Sequence, residues 1–181
     1  IGIRRAALDP EGVRQGVGAV EGAIFGLLGL LIAFTFSGAV SRFDGRRQLI
    51  IEEANDIGTA WLRLDLLPAS SAASLRDLFR QYLDSRIESY RKLPDIPAFR
   101  VELVRSNKLQ GEIWTAAVAA CRESGSQAAP MLLLPALNEM IDITTTRTET
   151  AKIHPPAVIF AMLGVLSLAA SLLAGYGMAG N

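Results

Sequence analysis

Residues 17–40, VGAVEGAIFGLLGLLIAFTFSGAV, contain one ionisable side chain, Glu21, and no proline. Wound at about 1.5 Å per residue, such a run crosses an apolar layer of roughly 30 Å. A buried helix in a water-soluble core is usually shorter and apolar on one side only, so the run reads as a transmembrane helix. Charge returns at once in SRFDGRR, residues 41–47, and a helix-like pattern resumes from Gln48 to Leu67. The membrane helix is therefore expected to continue into water.

Composition enters through its distribution. Half of the 181 residues are hydrophobic and the mean hydropathy is +0.31, with the apolar weight in residues 17–40 and again from Pro155 to Ala179. Formal net charge is zero, so the basic excess that phosphate recognition requires is missing and no nucleic-acid partner is expected. Cys121 has no second thiol with which to form an intrachain disulfide. Within the alanine-rich pattern Thr115–Arg122 it reads as a small buried side chain, with a reactive thiol as the weaker alternative. The chain opens on IGIRR and stops as an apolar segment ends, so both ends are expected to continue in a longer protein.

Four regions follow: an N-terminal segment, 1–16, read as the end of a preceding membrane helix and its link; a transmembrane helix, 17–42; a helical domain, 43–153; and a second transmembrane helix, 154–181. Arg4, Arg5 and Arg14 precede the first span, and Arg42, Arg46 and Arg47 follow it, so basic residues do not orient it. In the domain, Leu49, Ile50, Ile57, Trp61, Leu64 and Leu67 share a face, with Glu52, Glu53, Asp56 and Arg63 mostly opposite, up to a stop at Pro68. A helix over 72–92, capped by Ser70 or Ser71, has the stripe Leu75, Leu78, Phe79, Tyr82, Leu83, Ile87 and Tyr90. The rigid link Leu93–Pro97 leads to a helix over 98–123, packed through Val101, Val104, Leu109, Ile113, Trp114 and Ala117, which ends at Ser124-Gly125-Ser126. A last domain helix over 131–153 is expected to kink near Pro135. No alternating period-two run occurs here, and no stretch is long enough to span a bilayer. The second span opens on His154-Pro155-Pro156, where His154 suits an interfacial cap better than a metal ligand because the chain offers no second histidine. Its Gly164, Ser167, Ala170, Ser171 and Ala174 would admit a neighbouring helix.

Phosphate loops, dinucleotide-binding glycine patterns, zinc-protease and nucleophile-elbow motifs are all missing from the sequence. Neither enzymatic activity nor a cofactor or metal is expected. Gly22, Gly26 and Gly29 suit close helix packing in a membrane. Gly26, Leu30 and Phe34 also fall at i, i+4 and i+8, so a ring of such helices would present layered apolar constrictions to its axis. Glu21, Thr35 and Ser37 are the polar groups of interest inside the span, and an ionisable residue at that depth is a functional candidate by default. Being near one end, Glu21 could equally reach the interface. Arg42, Phe43 and Arg47 are expected to fix the helix where it leaves the membrane, with at least one arginine bonded to an acid of the domain.

LLIAFTFSGAVSRFDGRR, Leu30–Arg47, resembles the bestrophin superfamily, whose second membrane helix ends in a comparable run with counterparts of Phe34, Arg42, Phe43, Gly45 and Arg47. From Glu21 to Pro68 the chain more closely resembles the bacterial bestrophin-like proteins of the DUF4239 type. The resemblance implies an all-α fold of polytopic membrane helices, with a helical cytosolic domain inserted between the second and third spans. It implies a homo-oligomeric, pentameric channel, mainly for anions, in the bacterial inner membrane, with the bilayer, inorganic ions and copies of itself as partners. Residues 17–40 would then line the pore, Gly26, Leu30 and Phe34 would form its neck, and flanking segments would supply a first and a fourth membrane helix. Thr35 stands where the family often has a basic residue, and the acidic calcium clasp of animal bestrophins has no counterpart.

Overall fold

The computed structural model describes residues 10–179, and the sequence readings on residues 1–9, 180 and 181 lie outside them. The described chain is all-α and contains no strand. Its elements are α1 (Pro10–Arg63), a 3-10 turn (Leu64–Leu66), α2 (Ala69–Arg91), α3 (Ile96–Glu123), α4 (Ala128–Ala151) and α5 (Ala157–Ala179). Two helices, α1 and α5, are long and apolar enough to cross a membrane. The chain divides into two compact units, the first from described residues 10–45 and 153–179, the second Arg46–Lys152.

α1 runs for 54 residues without interruption. Its SRFDGRR stretch holds no proline, and its single glycine, Gly45, costs only about 1 kcal/mol of helix propensity. The helix therefore passes from apolar to charged sequence unbroken, as the resumed patterning implies. Within the first unit, Glu21, Ile24, Leu28, Leu31, Thr35, Gly38 and Arg42 form a half-buried stripe on α1 at alternating spacings of three and four. Ile159, Leu163, Leu166, Ala170 and Leu173 form the corresponding stripe on α5, with Ala170 nearly closed off.

The second unit has its own core. Ala60 and Leu64 from the end of α1 and its 3-10 turn meet Leu75, Phe79 and Tyr82 of α2, Leu109, Ile113 and Ala117 of α3, and Leu133, Leu137 and Met140 of α4. The Trp61 and Phe79 rings meet edge to face with centroids 6.1 Å apart, a favoured aromatic geometry. Cys121 is buried, and burial pushes its thiol pKa up. Helix ends follow local chemistry. Asp95 caps α3 by accepting from the Ala98 N–H at 3.0 Å, so α3 starts two residues before the expected position. α2 begins directly after Pro68 without a serine side-chain cap. Gly125, at φ +62°, supplies the left-handed conformation between α3 and α4 that glycine adopts most readily. α4 continues through Pro135.

The expected core faces need correction at several positions. Leu83, Ile87 and Tyr90 of α2 and Val101 and Val104 of α3 are exposed, the two valines by more than two thirds. Ser85, Arg86 and Ser89 of α2 and Ser106 and Gln110 of α3 are buried in their place. Small serines let α2 and α3 approach closely: the Ser85 and Ser106 hydroxyls lie 3.1 Å apart, and Ser85 also donates to the Glu102 carbonyl at 3.2 Å. Farther along, Gln110 donates to the Tyr82 and Thr144 hydroxyls, each at 3.2 Å. Each polar group is thus satisfied where it is buried. Glu53 is corrected most: expected on the charged side of its helix, it is 4% exposed.

Candidate functional site

Two places carry functional potential, one in each unit. In the first, the candidate neck residues Gly26, Leu30 and Phe34 lie away from the half-buried stripe of α1, with Leu30 53% and Phe34 67% exposed. Ser37 is exposed on that side as well. Glu21 and Thr35 fall on the half-buried stripe instead, and the Thr35 hydroxyl donates to the Leu31 carbonyl at 2.7 Å. The polar candidates are therefore divided between two faces. Around Gly22, Gly26 and Gly29 no neighbour would meet an added Cβ within 4 Å, so close helix packing through these glycines does not occur among the described residues. Arg42 folds back along its own helix, its Nη1 3.2 Å from where a Gly38 Cβ would sit. Phe43 is exposed.

In the second unit, sequence reasoning passed over the site with the most developed electrostatics. The buried Glu53 carboxylate of α1 accepts from Arg86 Nε of α2 at 2.6 Å through Oε1, while Oε2 pairs with the Arg147 guanidinium of α4. Arg86 also donates from Nη2 to the Tyr90 hydroxyl at 2.9 Å. Both guanidiniums lie over the Tyr90 ring, at 5.5 Å for Arg86 and 4.6 Å for Arg147, within cation–π range. Burial lowers the pKa of Arg147. Burial likewise raises that of Tyr90, against a smaller opposing effect of the Arg86 charge.

This cluster borders a cleft of about 380 Å³, whose other walls include Leu49, Ile50, Leu93, Ile96, Phe99 and Leu103. Arg46 adds a third guanidinium to the lining and donates from Nη2 to the Ala151 carbonyl at 3.2 Å. Two arginines thus share one carboxylate beside an apolar cavity that a third arginine also lines. Patterning could have flagged Arg86, a charge placed among the α2 positions that turn inward. It could not have supplied the partner, which lies 33 residues earlier.

The chain matches no family model, no curated protein and no solved structure.

Proposed function

We propose that the chain is a subunit of a homo-oligomeric, bestrophin-like ion channel of the bacterial inner membrane. By that resemblance it is pentameric and anion-conducting, with its helical domain in the cytoplasm. The observation that carries this reading is the exposed face of α1 bearing Gly26, Leu30 and Phe34, on one of the two helices apolar enough to cross a membrane and away from its half-buried stripe. Such a face suits the axis of a ring of subunits, where successive apolar layers resist wetting because water loses hydrogen bonds that the wall cannot replace.

Phe34→Ala and Leu30→Ala, assayed together for oligomer size by size-exclusion chromatography and for ion flux in liposomes, test it. On the axis, truncation widens and hydrates the constriction, so flux rises while oligomers stay intact. At a helix–helix contact between subunits, Phe→Ala leaves a cavity costing roughly 3–5 kcal/mol and assembly falls. Intact oligomers with unchanged flux in both variants would remove the pore assignment.

A second reading, a non-conducting membrane scaffold or sensor whose helical domain takes a partner, is favoured by the arginine-lined cleft. A protein that assembles, conducts nothing and occupies that cleft would fit it.

A further inference from the structure

The cleft in the second unit has an unbalanced charge. Glu53 gives one negative charge, whereas Arg46, Arg86 and Arg147 give three positive ones. Arg86 and Arg147 are themselves 5% and 11% exposed. A buried ion pair tolerates desolvation when its charges cancel, and an uncompensated charge left over is expensive. Burial depresses the pKa of Arg147, the direction expected of a guanidinium that its surroundings do not fully stabilise. An anion placed here would supply the missing charge. Guanidinium groups have donors to spare for it: among the described residues Arg147 engages the carboxylate through Nη1 and Arg46 the Ala151 carbonyl through Nη2, out of five N–H groups on each.

The remaining wall decides what the anion is attached to. The cleft is mainly aliphatic, and its volume falls within the roughly 300–1,000 Å³ of small-molecule sites. The aromatic ring nearest the arginines, Tyr90, already has both guanidiniums stacked on it, so it offers little face to a nucleobase. An alkyl chain fits the aliphatic surface without a directional partner.

We propose that this cleft binds a single-chain anionic amphiphile, with its carboxylate or phosphate head on Arg86 and Arg147, reinforced by Arg46, and its alkyl chain against Leu93, Ile96 and Phe99. Binding is measured directly, so the proposal stands or falls separately from ion conduction.

The full chain in phosphatidylcholine nanodiscs is titrated calorimetrically with decanoate, decyl phosphate and decanol, and protein-free nanodiscs are subtracted. At least one of the two anions should bind saturably with one site per chain. Decanol should bind at least tenfold more weakly than that anion. Arg147→Gln should weaken anion binding tenfold or more. Arg46→Gln, at an exposed position that does not threaten folding, should weaken it about threefold or more, and Ile96→Trp, which fills the cleft from its rim, should abolish it. Comparing the two anions distinguishes a carboxylate head from a phosphate head. The proposal is overturned if neither anion binds saturably, if decanol binds as tightly as the better anion, or if Arg46→Gln or Ile96→Trp retains wild-type affinity.

Discussion

Glu53 joins two arginines that reach it from different helices, Arg86 from α2 and Arg147 from α4. With the carboxylate removed, both guanidiniums stay largely buried without a counter-charge. Breaking a buried pair by deleting one partner costs roughly 3–5 kcal/mol, whereas exchanging the whole group for well-packed apolar residues can be neutral. Glu53→Gln should therefore lower stability by about 3–5 kcal/mol, measured as the shift in thermal midpoint by circular dichroism. The combined change Glu53→Leu, Arg86→Met and Arg147→Met should recover most of the loss. A single variant within about 1 kcal/mol of wild type would remove this role. Residue identity alone gave no hint of the pairing. In the run EEAND, Glu53 looks like its neighbour Glu52, and one position around the helix separates a solvated carboxylate from a buried one.

Helix by helix, boundaries were more legible than faces. Pro68 and Gly125 act through backbone geometry close to their own positions, so these two breaks between helices were legible from short-range chemistry, whereas the Asp95 cap and the start of α4 at Ala128, three residues before the expected position, were not. Which side of each helix turns inward depends on the spacing between neighbours. Val101 and Val104 follow the apolar pattern yet remain outside, because α2 and α3 meet through serines. Asp56 of α1 makes a further point about opposing helices. Its carboxyl pKa is raised, first by burial and then by the carboxylates of Glu139 on α4 and Glu52. A carboxyl whose folded pKa exceeds its unfolded value near 4 penalises the fold at pH well above both, and the penalty is relieved as pH falls through the folded value. Asp56→Asn should accordingly melt at a higher temperature than wild type at pH 7, with the difference shrinking as pH is lowered toward about 4. An advantage that grows on acidification would contradict this placement.

For the molecule as a whole, the all-α fold and two membrane-length helices were readable from hydropathy and the absence of alternating patterns. The neck assignment depends on neighbouring subunits that a single sequence does not contain. The proposed cytoplasmic position of the helical domain can be checked in cells, because Cys121 is buried and its thiol pKa is raised, so it should stay silent. Ala73→Cys, exposed on α2, should react with a membrane-impermeant maleimide only after the membrane is opened. Labelling in intact cells would place the domain outside. Sharing one carboxylate among three helices also gives synthesis an order. Glu53 leaves the ribosome first, Arg86 follows, and Arg147 comes last, after a further interval on the order of several seconds at about 5–20 residues per second. Until then one carboxylate oxygen has only water for company, and α1 with α2 cannot complete the electrostatics of the finished domain. Arrival of α4 closes the set, so a ribosome that stalls before residue 147 leaves a nascent chain whose charge pairing is unfinished and open to proteolysis.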